Sequence, residues 1–128
     1  MSSKKALPAK LFIKENYNVV LINAPTDYQS LLTPLPDGVT ITTDVIPDAD
    51  FIQVFIMNRE EMEQQLEPLI KTLKPNGWLW VSYPKGSFKV KTDINRDSIW
   101  EFGKGLGLKA VHQISIDETW SSMRFRFE

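Results

Sequence analysis

Hydrophobic residues occur along the chain in short blocks, and the spacing within each block predicts a strand or a helix. Three blocks, at residues 17–23, 51–57 and 78–83, are continuously apolar in their middle, which is typical of strands covered on both faces. A more exposed strand is expected at 39–43. Two further blocks, at 110–116 and 121–127, predict the two strands of an antiparallel hairpin, with the turn between them. We therefore expect about six strands.

Helices are expected between the strands. Thr26 and Gln29 form a capping-box pair that would open a short helix after the first strand. Asn58 and Glu61 form a second such pair, and an apolar stripe at helical spacing follows them. The sequence Lys-Pro-Asn-Gly at 74–77 is expected to end this second helix.

The third predicted helix begins after a polar segment, and either Asp93 or Asn95 can supply its N-cap. Glycines at 103, 105 and 107 follow this helix and precede a strand. A glycine loop that holds a phosphate or a nucleoside has the opposite order, with the strand first and the helix second. These glycines therefore indicate a helix C-cap and not a cofactor loop.

The alternation of strands and helices predicts a three-layer, Rossmann-like α/β fold, in which a mostly parallel sheet of about six strands carries helices on both faces and ends in an antiparallel hairpin. Ligands of such sheets bind outside the carboxyl ends of the strands. Four segments are expected to meet at that edge, namely residues 23–25, 58–59, 83–86 and 117–120.

Composition limits the classes of protein that fit. The chain has 128 residues, 42% of them apolar, so we expect one domain over 1–128 with residues 1–6 frayed. Fifteen basic and sixteen acidic residues argue against the basic surface of a nucleic-acid-binding protein. Cysteine is absent, which excludes disulfides and agrees with a reducing cytoplasm. Since the apolar runs are too short to span a bilayer, we expect a cytoplasmic protein without membrane contact.

A family resemblance supports this fold. The stretch from Asp50 through the third strand, its helix and residues 73–81 is similar to the second half of class I, SAM-dependent methyltransferases. The whole chain resembles a family of small bacterial proteins of unknown function with a truncated version of that fold. This second resemblance rests on ordered blocks at residues 10–14, 23–25, 35–39, 79–85 and 116–121. It implies the fold and brings no activity, substrate or catalytic residue with it.

The chain departs from working methyltransferases directly after its first strand. The cofactor needs glycines there, so that the backbone can approach the nucleoside, and an acidic residue after the next strand for the ribose hydroxyls. Residues 23–27 read Asn-Ala-Pro-Thr-Asp, and Pro25 has a fixed φ and no amide hydrogen. Asp44 could take the place of the acid that binds the ribose hydroxyls, but without the glycine loop its presence is only weak evidence for a cofactor site. We therefore expect a degenerate site and no cofactor.

Basic residues near the third helix are the first ligand-binding candidates. Lys85, Lys89 and Arg96 could form a local anion site, and a solvated lysine loop is the alternative. On this basis one hypothesis is an enzyme that acts on a small anionic substrate at the strand ends. Asp93 or Asp117 would be its acid or base.

The hairpin corner supplies the other candidates. Asp117 and Trp120 could hold a ligand at the mouth of the crevice, together with Asn23 and Pro25 from the first strand end. Alternatively, Asp117 binds backbone amides in the turn and Trp120 covers the core. The leading hypothesis is a non-catalytic module that binds an unidentified small molecule or protein, or has a regulatory role, and that meets its ligand at these residues and Lys85.

Three further expectations concern residues outside this candidate set. An arginine on the covered face of the last strand, such as Arg124, needs a partner, for which Asp117 or Asp93 is expected. His112 is the only histidine, so a catalytic triad or a multi-histidine metal site is excluded, and no metal site is predicted. An exposed edge strand at 39–43 could mediate self-association into a homodimer.

Overall fold

The structure is a computed structural model that describes residues 6–85 and 93–128. Within these ranges one sheet contains the strands β1 (Asn18–Ile22), β2 (Thr40–Thr42), β3 (Ala49–Phe55), β4 (Leu73–Pro84), β5 (Leu108–Ser115) and β6 (Trp120–Phe127). Their order is β2-β1-β3-β4-β6-β5. The pairings from β2 to β4 are parallel, whereas β6 runs antiparallel to both β4 and β5. The predicted parallel sheet with a closing hairpin is confirmed.

Helices cover the two faces of the sheet unequally. The two long helices, α2 (Arg59–Ile70) and α3 (Arg96–Gly105), bury residues such as Met62 and Ile99 against one face. The other face is covered by the chain before β1, which includes the short helix α1 (Leu7–Lys10), and by a four-residue 3₁₀ helix (Tyr28–Leu31). None of the helices in the described ranges is long and apolar enough to cross a membrane.

The predicted caps of both long helices are present. The Asn58 side chain accepts a hydrogen bond from the Glu61 amide at 2.9 Å, while the Glu61 carboxylate accepts from the Met57 amide at 2.7 Å. Of the two alternatives for α3, Asn95 is the N-cap, and it exchanges hydrogen bonds of 2.9 Å with Ser98 in a complete capping box. These local patterns therefore fix the start of each helix.

The capping box predicted at Thr26 and Gln29 is wrong. The segment forms the short 3₁₀ helix, whose N-cap is Asp27 and makes no side-chain capping bond. Its first turn closes instead through the backbone, because the Tyr28 amide donates to the Pro25 carbonyl at 3.0 Å. The turn after β1 is thus held by Pro25 and Tyr28.

The segment at 74–77 was expected to end a helix, and this is also wrong. Helix α2 ends at Ile70, and the segment lies within the long strand β4. The pairing of β3 with β4 shifts register between Ala49 and Phe51, opposite this segment. Pro75 and Gly77 therefore mark an irregularity inside a strand, which is the usual place for proline and glycine in sheets.

Of the three glycines expected to follow the third helix, only Gly107 does so, because Gly103 and Gly105 lie within α3. Leu106 is the C-cap, and Gly107 has a φ of 85°, in the left-handed region that glycine adopts readily. The Gly107 amide donates to the Lys104 carbonyl at 3.1 Å. Gly103 has a packing role, since a side chain there would collide with the ring of Phe125 in β6. The interpretation as a C-cap is confirmed for Gly107.

Candidate functional site

The strand order reverses at β1, which has β2 on one side and β3 on the other. In open α/β sheets the crevice beyond the carboxyl ends of such neighbouring strands is the usual ligand site. A cavity of about 480 Å³ lies there, a volume typical of small-molecule sites. It is lined by Asn23, Ala24, Pro25, Phe55, Met57, Glu61, Gln65 and Trp120. We refer to it as the Asn23–Trp120 cavity.

Three predicted site residues meet in this cavity, whereas Lys85, Arg96 and Asp117 line other cavities. Asn23, Pro25 and Trp120 line it, although Trp120 is far from the other two in sequence. Lys85 and Arg96 line a different cavity of about 420 Å³ on the α3 side of β4. Lys89 lies outside the described residues. The predicted candidates are therefore distributed over more than one site.

Aromatic rings form one wall of the Asn23–Trp120 cavity. The Trp120 ring packs edge-to-face against Phe55, with ring centroids 5.0 Å apart, and Phe55 packs in the same way against Tyr28 at 4.8 Å. Tyr28 and Phe55 are buried, whereas Trp120 is half-buried. Trp120 thus covers the core and also presents a surface to the cavity.

The polar groups of the cavity come from the end of β1 and the first turns of α2. Asn23 adopts a left-handed φ of 60°, which asparagine tolerates, and its amide nitrogen donates to Gln65 Oε1 at 2.6 Å. Glu61 Oε1 accepts from the Met57 amide. A carboxylate can accept about four hydrogen bonds, so Glu61 retains capacity for a ligand.

Sequence reasoning missed four of the lining residues: Phe55, Met57, Glu61 and Gln65. A usable signal existed, because Glu61 and Gln65 are four residues apart on a predicted helix and therefore share one face. That face follows directly on the carboxyl end of a buried strand, where ligands are expected.

Pro25 and Asp44 occupy positions where methyltransferases of this fold would contact the nucleoside cofactor. Pro25 offers no amide hydrogen, and its carbonyl accepts from the Tyr28 amide. Asp44, the possible ribose acid, follows the end of β2, and its amide donates to Thr42 Oγ1 at 3.1 Å. Asp44 is not among the residues that line the Asn23–Trp120 cavity. Pro25 therefore supplies no backbone donor at this edge, and Asp44 does not line the cavity.

The carboxylates proposed as acid or base are bound to main-chain amides. Asp117 Oδ1 accepts from the amides of Thr119 at 2.8 Å and Trp120 at 2.9 Å, as expected of a residue that stabilises the turn. Asp93 Oδ1 accepts from the Arg59 amide at 2.7 Å. Within residues 6–85 and 93–128, moreover, no cluster of histidine, aspartate and glutamate could hold a metal ion.

Arg124 does not have the predicted carboxylate partner. Its guanidinium lies 3.5 Å from the ring centroid of Trp78 and 4.3 Å from that of Phe12. The prediction was wrong because Arg124 pairs with Trp80 in the middle of β4, whereas Asp117 lies beyond the strand ends. Its buried Nε has no hydrogen-bond partner among the described residues, and desolvation lowers the pKa of the guanidinium. Stacking on aromatic rings replaces the ion pair.

Comparison with solved structures identifies the fold. The chain is similar to a DhpI–SAH complex with a TM-score of 0.65 at 13% identity, covering 94% of this chain and 81% of that one. It is similar to a SAM-dependent methyltransferase from Aquifex aeolicus with a TM-score of 0.55 at 13% identity, covering 93% and 88%. For the mitomycin 7-O-methyltransferase MmcR the TM-score is 0.61 at 10% identity, covering 88% of this chain and 49% of that one. No protein-family model and no curated protein matches the sequence. The chain therefore has the fold of class I methyltransferases.

Proposed function

We propose that the chain is a non-catalytic binding or regulatory module on a degenerate methyltransferase scaffold, and that its ligand occupies the Asn23–Trp120 cavity. The observation that carries this proposal is the turn after β1. Its glycines are replaced, its Pro25 carbonyl is used by the Tyr28 amide, and Asn23 is bound to Gln65. The usual ligand position of the fold is thus lined by side chains that serve another ligand.

The lining determines which ligand would fit. Five of its eight lining residues, Ala24, Pro25, Phe55, Met57 and Trp120, are apolar or aromatic and can contact the apolar part of a ligand. Its polar side-chain groups are one carboxylate, two amides and the indole N–H of Trp120, and none of its lining residues within 6–85 and 93–128 is a lysine, arginine or histidine. We therefore propose a small, neutral or positively charged molecule that donates hydrogen bonds, or an equivalent side chain of a protein partner.

The absence of catalysis is part of the proposal. Among the described residues, Glu61 is the one ionisable side chain that lines the cavity, and it already accepts a hydrogen bond from the Met57 amide at the start of α2. A general acid–base reaction needs a group placed to exchange a proton with the ligand, and commonly a second group that orients it. Asp93 and Asp117, the other candidates, are used by backbone amides. The contacts therefore favour binding over chemistry.

A thermal-shift screen of a metabolite library tests this proposal. A ligand at one hundred times its Kd should stabilise the protein by about 2.7 kcal/mol. Glu61→Gln keeps an acceptor for the Met57 amide but removes the charge, so it should weaken binding of a cationic ligand. Trp120→Leu should also weaken binding, whereas Trp100→Leu, at an exposed tryptophan outside the cavity, should leave it unchanged.

Two results would contradict the proposal. One is a screen in which no compound stabilises the protein and no partner co-purifies with it. The other is methyl transfer from SAM to any acceptor, since this would require the cofactor contacts that the turn lacks. The alternative, an enzyme for a small anionic substrate at Lys85 and Arg96, has less support. Arg96 Nε lies 3.6 Å from Asp97, and Lys85 Nζ is bound elsewhere, to Ser115 Oγ.

A further inference from the structure

Two lysines that are far apart in sequence meet at one residue of β5. Lys10 Nζ, from α1, donates to the Ser115 carbonyl at 2.9 Å. Lys85 Nζ, from the end of β4, donates to Ser115 Oγ at 2.6 Å. The fold thus brings two ammonium groups to one residue beside the hairpin turn, and Arg96 is not among the residues that line the cavity there.

The charge of this pair is not neutralised within the described part of the chain. Neither Lys10 nor Lys85 forms an ion pair with a carboxylate of residues 6–85 or 93–128. Each ammonium group has three N–H donors and uses one of them on Ser115, which leaves two available. Two like charges at close range repel each other, and an anion placed between them would relieve that repulsion. The arrangement therefore favours an anionic group.

The space around the two lysines is large and partly apolar. A cavity of about 870 Å³ lies between α1 and the β5–β6 turn, and we call it the Lys10–Lys85 groove. Leu7, Leu31 and Ile116 line it, and Leu31 is 46% exposed. An exposed leucine beside unpaired ammonium groups matches a molecule with a charged head and an apolar chain.

Acidic residues of the hairpin turn also line the groove and oppose an anion. Asp117 has one carboxylate oxygen bound to two backbone amides, which partly offset its charge. Glu118 lines the groove without an ion pair to either lysine. The lysines therefore contribute the hydrogen-bond donors that an anionic headgroup needs, while the charge of Glu118 lowers the affinity of the groove for an anion.

We propose that the Lys10–Lys85 groove is a second site, which binds a compact anionic headgroup, a carboxylate or a phosphate, attached to a short apolar chain. The headgroup lies between the two ammonium groups, and the chain lies against Leu7, Leu31 and Ile116. This site is separate from the Asn23–Trp120 cavity and requires no ligand there.

Amide NMR titrations with octanoate and with octyl phosphate test the proposal. Both should shift the amide signals of Ser115, Lys10 and Lys85, and the tighter of the two identifies the preferred headgroup. Lys10→Gln and Lys85→Gln should each raise the Kd at least about tenfold, since each removes a charge-assisted hydrogen bond. Glu118→Gln should lower the Kd, because it removes a like charge from the groove.

The controls separate this site from general charge and from the first cavity. Lys109→Gln, at an exposed lysine of β5 outside the groove, should leave the Kd unchanged. Octylammonium, with the same chain and the opposite charge, should not shift the groove signals. The proposal is overturned if neither anion shifts these signals up to about 10 mM, if octylammonium binds equally well, or if both lysine variants keep the wild-type Kd. If the amide signals of Asn23 and Trp120 do not shift in these titrations, the ligand binds in the groove without occupying the Asn23–Trp120 cavity.

Discussion

Replacing Tyr28 with phenylalanine should destabilise the fold through a chain of buried polar side chains. The Tyr28 hydroxyl donates to Gln53 Oε1 at 2.8 Å, and Gln53 Nε2 donates to Ser82 Oγ at 3.0 Å. Ser82 Oγ lies 2.9 Å from Ser122 Oγ. The chain crosses β3, β4 and β6 in the core beneath the Asn23–Trp120 cavity, and each of its members is buried.

The size of the effect follows from what the substitution leaves behind. Phenylalanine keeps the ring and its edge-to-face contact with Phe55, so little packing is lost. Gln53 Oε1, in a fully buried side chain, loses its donor. An unsatisfied buried acceptor costs about 1–3 kcal/mol. A loss near 2 kcal/mol would lower the Tm of a domain of this size by roughly 6–10 °C.

Urea denaturation measures this loss, provided that the m-value is unchanged. Tyr17→Phe is the matched control, because Tyr17 is half-buried and its hydroxyl makes no hydrogen bond to another residue of 6–85 or 93–128. Its effect should stay within about 0.5 kcal/mol. A Tyr28→Phe variant as stable as Tyr17→Phe would refute this reasoning.

Three further predictions use the same assay. Burial raises the pKa of Tyr28 above its value of about 10 in unfolded chains, so the free energy of unfolding should fall as the pH rises past about 10. Tyr28→Phe should make that fall shallower by up to about 1.4 kcal/mol per pH unit, and equal slopes for the wild type and the variant would contradict this. Gly103→Ala should lower the free energy of unfolding by about 1–3 kcal/mol, because the new methyl group collides with Phe125. Gly105→Ala, with open space around it, should raise that free energy by up to about 1 kcal/mol, and equal effects of the two substitutions would contradict this explanation. Asn95→Ala should cost about 0.5–2 kcal/mol through loss of the α3 cap, and no cost would mean that the cap is dispensable.

Much of the fold could be predicted because its signals are local. The Asn58 cap and the apolar stripe of α2 depend on residues within one helix, and the hairpin depends on two apolar blocks around a short turn. The parallel order follows from the alternation of these elements. Pro75 and Gly77 show the limit of such signals, because proline and glycine indicate an interruption without telling whether it lies between two elements or inside one.

The side-chain environment of the sites was harder to predict, because it depends on residues distant in sequence. The alternation of β6 places Arg124 on a covered face, but its neighbours, Phe12 and Trp78, come from the chain before β1 and from β4. The surroundings of Lys85 were hard to predict for the same reason, since Lys85 and Lys10 both contact Ser115 only because of where α1 packs. Asn23, Pro25 and Trp120 could be identified because the rule that ligands bind at strand carboxyl ends needs only topology.

The turn after β1 shows why a single substitution would not recreate a cofactor loop. A glycine in place of Pro25 would add an amide hydrogen, but the carbonyl of residue 25 would still accept from the Tyr28 amide. Tyr28 is itself fixed by the hydrogen bond to Gln53 in the core, and Asn23 is fixed by Gln65 of α2. The conformation of the turn is therefore determined by two distant contacts as much as by its own residues.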